Sequence, residues 1–431
     1  MENKADARNI VLNMLSDTLQ KGNLSHNVTG AVFACDELSG RDRGFILNLY
    51  LGVLERLPLL DYNIEKRSKT PSGKIKPVVK NILRMGLYQM YFMDSVPERA
   101  AISESLRLLE KRKLAGLKGF ANGILRTIQR EGLLADAPEH INYCAPKWLY
   151  EKLCGDIGKE EAQRFLCCSL NRKNTLTALF NTQKAPKEEI IRSLEEEGCR
   201  AYPAGTAENA YFLEIEGRLE DLNAFKNGYI YIQSLNSMKV ALKAKELYEK
   251  APAGGVNPLI MDVCACPGGK SIGLALAFPD GRIISGDKSK NKTDLIEENI
   301  ARMGLKNIET RVHDAAVFDE KYKEAADIVI VDAPCSGLGV IPEKPDIKTR
   351  IKREDIESLS ALQRQILKAC AGYAKPKGIL IYSTCTLTKE ENRENSKWLE
   401  DTGIFKSEGS SLYTVNGDRA DGFYIAAFRK N

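Results

Sequence analysis

From residue 258 onward the chain alternates short apolar runs with longer amphipathic ones, and nothing else in it restricts the fold as tightly. "PLIMDVCA", "GRIISGD", "ETRVHD", "ADIVIVDA" and "GILIYSTC" read as strands, and "GFYIAAFRK" as a last one. The stretch after "PGGKS", "KTDLIEENIARMG" and "EDIESLSALQRQILKACAGYA" read as helices. Strands joined through helices require crossovers, so the expected fold is a parallel, doubly wound, Rossmann-like sheet. In such sheets ligands bind beyond the carboxyl ends of the strands.

The unusual residues fall at those ends. Asp262, Asp287, Asp314 and Asp332 close four consecutive strands. Any one of them reads equally well as a helix-capping aspartate, but four in succession fit capping poorly. Asp287 lies about 20 residues beyond the first glycine turn, where a carboxylate can accept hydrogen bonds from a ribose. "DVCACPGGKS" sets two glycines between a strand and a helix, letting backbone approach a ligand near free amide donors. A purely structural glycine turn is the plain alternative. The stretch matches neither GxGxxG nor GxxxxGK[ST]. "DAPCSG" and "STCTL" each deliver a cysteine, Cys335 and Cys385, toward one crevice. Taken singly, each is as well explained as a buried packing cysteine, and a thiol nucleophile is the sharper reading.

Upstream the pattern differs. Residues 1–136 show apolar positions at three- and four-residue intervals ("ARNIVLNMLSDTLQ", "KPVVKNILRMGLYQMYFM", "GLKGFANGILRTIQRE") and no convincing strand, which predicts an all-helical domain. Residues 137–230 mix helices with "TLTALFNT" and "YFLEI", a small α+β module. The third domain is residues 231–431, and the stretch "APAGGVNP" marks a loop before its alternating strands and helices. Between Arg107 and Arg130 stand Arg107, Lys111, Arg112, Lys113, Lys118, Arg126 and Arg130 against one acid, Glu110. That is either a solvated helix face or a phosphate-binding surface.

Composition narrows the function classes. No apolar run approaches the roughly 18 residues of a membrane span, and "MENKADARNI" lacks a signal-peptide core, so a cytoplasmic protein is expected. Eleven cysteines without regular spacing or a Cys-x-x-Cys, beside three histidines, argue against a disulfide framework and against structural zinc. A net charge of +5 is a weak preference for anionic partners.

"DVCACPGGK", "DAPCSGLG", "KPDI" and "YSTCTL" followed by "EEN" resemble the RsmB/Sun-type RNA (cytosine-C5) methyltransferases, and the likeness covers nearly the whole chain. "LSGRDRGFILNLYLGVLERLPLLDYNI" and "VPERAAISESLRLLEKRKLAGLKGFANGILR" look like that group's NusB-like RNA-binding domain. The resemblance implies S-adenosyl-L-methionine as cofactor and small-subunit (16S) ribosomal RNA as partner; a monomer without a structural metal is the expectation. It implies that Cys385 attacks C6 of the cytosine, that Cys335 assists release, that Asp332 holds the base, and that Lys270 adds positive charge. Carried over residue by residue, Cys264, Ala265, Cys266, Pro267, Gly268, Gly269 and Lys270 line the methionine and ribose side. Asp287 then takes the ribose, Asp314 the adenine, and Asp332 the edge of the base pocket. Cys266, Lys288 and His313 depart from the family pattern around the cofactor, and Leu179 and Ser234 depart from it in and beside the middle module.

Two other classes stay open from the residues: a non-enzymatic RNA-binding or antitermination factor, which would leave the sheet's residues idle, and a nicotinamide-dependent oxidoreductase, which would need the missing glycine fingerprint.

Overall fold

The structure, a computed structural model, describes residues 6–33, 35, 38–134, 136–171, 175–205, 207–215, 217–250 and 257–431. The loop read at residues 251–256 lies outside them. The chain forms two compact units, one of Met1–Leu170 with Ile341–Arg350, the other of Asn171–Val340 with Ile351–Asn431. Among the described residues no helix is long and apolar enough to cross a membrane.

The first unit is helical. Helices Ala7–Leu19, Gly40–Glu55, Leu57–Arg67, Glu98–Lys111 and Lys118–Glu131 bury apolar stripes against Pro77–Phe92. That helix starts on a proline, whose fixed φ suits a first turn, and is buried on nearly every side from Val79 to Met90. Its one charged buried side chain, Arg84, is matched by both oxygens of Asp61, at 2.6 and 2.7 Å. Ser39 caps Gly40–Glu55 by accepting the Asp42 amide. Gly52 is glycine because Tyr88 lies across it: a Cβ there would stand 1.9 Å from the ring carbon Cζ. Ile341–Arg350 packs into the same unit. The buried Lys348 donates to the Glu55 carbonyl at 2.7 Å, and Ser25 donates to the buried Asp346.

The second unit holds two sheets. The smaller contains β1 (Thr175–Phe180), β2 (Arg200–Pro203), β3 (Ala210–Glu214) and β4 (Ile230–Ile232) in the order β2-β3-β1-β4, all antiparallel. Arg302 ties it to the larger sheet's helical layer. It donates to the Phe225 and Ile230 carbonyls at 2.9 and 3.0 Å and stacks 3.9 Å from the Phe225 ring.

The larger sheet comprises β5 (Leu259–Asp262), β6 (Arg282–Asp287), β7 (Ile308–Val312), β8 (Ala326–Asp332), β9 (Ala374–Thr384), β10 (Phe405–Asn416) and β11 (Arg419–Lys430) in the order β10-β11-β9-β8-β5-β6-β7. Strands β5 to β9 are parallel, as their apolar runs and helical crossovers require. The sequence reading stops short at one edge: β11 runs antiparallel to β9, and β10, not read from the sequence, extends it as a hairpin. Because β5 leads to β6 and β7 on one side while β8 leads to β9 on the other, the order reverses between β5 and β8. A crevice opens at such a switch point.

Candidate active site

The crevice is built from the ends of β5, β6, β8 and β9. Asp262 ends β5 with no exposure, and its Oδ2 accepts the Ser271 hydroxyl at 2.6 Å. Its Oδ1 is buried with no hydrogen-bond partner among the described residues. Burial raises its pKa to about 7; the Ser271 hydrogen bond opposes that rise and the charge of Asp332 adds to it.

The glycine turn follows. Gly268 has φ +105°, a conformation that a side chain disfavours, and caps the helix Gly269–Ala277. A Cβ on Gly269 would come 2.9 Å from the Tyr231 ring. Asp287, almost fully buried at the end of β6, accepts the Cys266 amide at 3.1 Å, the Lys288 amide at 2.7 Å and Lys292 Nζ at 2.9 Å. Four lone-pair sites on a carboxylate leave room for one further donor. Asp314, beyond β7, accepts the Ala316 amide at 3.0 Å and pairs with Lys288 at 2.9 Å; the Lys288 hydrogen bond first, then the Ala316 amide, hold its carboxyl below the usual range.

A polar orphan on Asp262, spare acceptor capacity on Asp287 and a backbone turn without side chains are what an amino-acid nucleoside such as S-adenosyl-L-methionine would use. The residues fit it. Of the departures, Lys288 spans Asp287 and Asp314, and the His313 ring meets the Val317 carbonyl at 2.7 Å. Leu179 is buried with Ala204, Ala210, Leu235 and Met238, so it serves packing. Ser234 caps the helix Leu235–Glu249.

Across the switch point, Lys270 Nζ pairs with Asp332 Oδ2 at 2.6 Å, while Ser383 donates to Asp332 Oδ1 at 2.8 Å. The ammonium stands 5.3 Å from the Phe423 ring centroid. Burial opposes its charge, but the charge and hydrogen bond of Asp332, with help from Asp262, raise its pKa above the ordinary value. Asp332 and Ser383 are register partners in β8 and β9. Cys335 and Cys385 therefore leave the sheet side by side, and their sulfurs lie 3.1 Å apart, in no disulfide and partly exposed. The Cys335 pKa is pushed well above the usual thiol value, by the hydrogen bond to Cys385 first and burial next.

The sequence missed Glu391. Within "EEN" it reads as an ordinary acid, yet it is buried and bonded beside both cysteine loops. A run of hydroxyl residues around both cysteines, Ser336, Ser383, Thr384, Thr386 and Thr388, was the available sign that a buried acceptor would be needed. Elsewhere, the basic run of the helical unit is extensively engaged. Lys111 pairs with Asp6 at 2.6 Å, Arg112 donates to Asn9 and Asn13, Lys118 pairs with Glu110, and Arg107 and Arg130 pair with Glu104 and Glu131.

Residues 253–429 match the family of 16S rRNA methyltransferases RsmB/F, and residues 5–130 match the NusB family. The chain is 35% identical over 408 residues to a Bacillus subtilis protein named "Probable ribosomal RNA small subunit methyltransferase B", covering 91% of this chain and 87% of the relative. It is 32% identical over 420 residues to the Vibrio cholerae ribosomal RNA small subunit methyltransferase B, covering 94% of each. The solved protein PH0851 superposes over the full length of both chains with a TM-score of 0.79 at 24% identity, a likeness of fold.

Proposed function

Since the chain belongs to the RsmB/F family of 16S rRNA methyltransferases, we propose that it methylates C5 of a cytosine in small-subunit ribosomal RNA, in the cytoplasm, through a covalent bond from Cys385. The observation that carries this reading is the 3.1 Å approach of the Cys335 and Cys385 sulfurs beside the Lys270–Asp332 pair.

Cytosine C5 is too weak a nucleophile to take a methyl group unaided. Addition of the Cys385 sulfur to C6 pushes an electron pair toward C5 and N3 and makes C5 enamine-like. Asp332 accepts from the base's N4 amino group, and the Lys270 ammonium supports the density growing at N3. S-adenosyl-L-methionine, when bound, supplies the electrophilic methyl group. Asp262, Asp287, Asp314 and the backbone of Cys264, Ala265, Cys266, Pro267, Gly268 and Gly269 hold and orient that cofactor. After the transfer a base takes the C5 proton, the C5–H electron pair re-forms the C5–C6 double bond, Cys385 leaves C6 as a thiolate, and Cys335 assists that elimination. The base must leave its stack first, at a cost of a few kcal/mol that an open strand reduces.

Residues 1–136 and the module 137–230 hold the RNA, while 231–431 carry the reaction; phosphate contacts position and the crevice selects. The non-enzymatic reading leaves the sulfur pair and the unpaired Asp262 oxygen without a purpose. Mapping 5-methylcytosine in ribosomal RNA from cells with and without this protein tests the proposal. One cytosine should lose its methyl group in the deletion and regain it on complementation; unchanged maps would overturn the reading.

A further inference from the structure

Nothing in the reaction above uses Glu391, although its side chain is fully buried. It occupies the turn between β9 and the helix Arg393–Asp401. Oε1 accepts the Ser336 amide at 2.8 Å and Gln363 Nε2 at 3.1 Å. Oε2 accepts Ser336 Oγ at 2.6 Å and Thr388 Oγ1 at 2.7 Å, with Thr386 Oγ1 at 3.3 Å.

Two of these partners are neighbours of the reacting sulfurs. Ser336 follows Cys335, Thr386 follows Cys385, and their hydroxyl oxygens stand 2.7 Å apart. Each hydroxyl has one proton to give. Ser336 gives its proton to the short contact with Glu391, so Thr386 shares its one proton between the Ser336 oxygen at 2.7 Å and Glu391 Oε2 at 3.3 Å. Asn392 completes the arrangement, accepting Thr384 Oγ1 at 2.5 Å and donating to the Thr386 carbonyl at 2.9 Å. Gln363 also donates to the Pro334 carbonyl at 2.9 Å, just before Cys335.

A buried carboxylate costs several kcal/mol unless donors compensate it, and packing alone would be served as well by an apolar side chain. Here the donors come from both cysteine loops, which otherwise belong to different strand ends.

We propose that Glu391 is a positioning residue, fastening the backbone after Cys335 and after Cys385 to one carboxylate and so holding the two sulfurs in place beside the base pocket. This rests on the reading of Cys385 as nucleophile and deepens it. The charge of Glu391 is also among the influences that raise the Cys335 pKa.

The test uses the full chain with Glu391→Gln, which keeps the volume but turns one acceptor atom into a donor facing donors. Alkylation of Cys385 and Cys335 by iodoacetamide is followed peptide by peptide across neutral and alkaline pH. In the parent, Cys385 should react roughly ten-fold or more faster than Cys335 at neutral pH, because the contact to Cys385 and burial disfavour the Cys335 thiolate. In folded Glu391→Gln that ratio should collapse toward one, and kcat for methyl transfer should fall about 10- to 100-fold with the cofactor KM unchanged, the signature of misplaced reacting groups. A folded variant that keeps the parental ratio and kcat overturns the proposal. Should Glu391→Gln fail to fold, Ser336→Ala, which removes one donor to the carboxylate, must move the ratio in the same direction, and a parental ratio there overturns it equally. A parent that methylates no cytosine but shows a Glu391-dependent alkylation ratio would sink the functional reading and leave the positioning role standing.

Discussion

Gly339 and Gly422 meet backbone to backbone. A Cβ on Gly339 would lie 1.9 Å from the Gly422 carbonyl oxygen, and the Gly339 amide donates to the Cys385 carbonyl at 2.9 Å. The loop after Cys335 is thus pressed on β11 and tied to the loop after β9. Gly339→Ala has no flexible side chain to displace, so backbone must move, at about 1–3 kcal/mol. A melting temperature several degrees lower is expected, with methyl transfer lost disproportionately because the sulfurs separate. Gly119→Ala, where a Cβ meets nothing within 4 Å, should be neutral or better. Equal activity in the two variants would contradict this account of the loop.

The two thiols should separate by function. Cys385→Ala removes the sulfur proposed to attack and should abolish methylation, a loss of about 10³-fold or more by the usual order of nucleophile deletions. Cys335→Ala leaves attack possible and hinders release, so a protein–RNA adduct stable to denaturing gel electrophoresis should accumulate when cofactor is present. Adduct in the Cys385 variant instead would exchange the assignments.

Lys270 and Asp332 are better judged as a pair. Asp332→Asn strands a largely buried ammonium, while Lys270→Ala strands a more exposed carboxylate. The first should cost more stability, and the double variant should cost less than the sum of the singles, a coupling of about 1 kcal/mol or more. Each single change should also lower kcat by about 10²-fold, read by single-turnover kinetics. Additive stabilities would mean that the ion pair contributes nothing.

Asp262 makes the stability of the cofactor-free protein depend on pH. Its pKa rises from 3.8 to about 7 on folding. Between those values the native state holds a proton that the unfolded chain has lost, so stability declines as pH rises through the window. Three pKa units correspond to roughly 4 kcal/mol, fully incurred above pH 7. Denaturant melts of the parent and of Asp262→Asn should therefore diverge between about pH 4 and 7, with the parent falling relative to the variant. Parallel curves would place that carboxyl in a wetter site than the structure gives it.

The parallel strands, and with them the cysteine pair, could be read from sequence because each is a local pattern: an apolar run, a terminal carboxylate, a helix-length gap. β10 could not. "FKSEGSSLYTVN" is polar at most positions, since it lies at the sheet edge and pairs only with β11. Lys348 was equally hidden. A lysine in "KPDIK" reads as solvent-facing, and only the tertiary fold places it in the helical unit against the Glu55 carbonyl, where burial depresses its pKa to about 8. Glu391 looked like an ordinary acid preceding a helix, because its donors come from segments as much as 55 residues away.

The basic run of the helical unit gives a final prediction, and its size follows from the ion pairs. Lys111 and Arg112 already meet Asp6, Asn9 and Asn13, so RNA phosphates must compete with those partners. Each phosphate contact neutralised by a cation adds about 0.7 to 0.9 to the slope of log affinity against log salt. Replacing Lys111, Arg112 and Lys113 with Gln should therefore flatten that slope by fewer than three contacts' worth, and weaken binding uniformly across RNA sequences. Filter binding of a ribosomal RNA fragment at graded salt would measure it. A slope identical to the parent's would assign this helix face to solvent and to its own ion pairs alone.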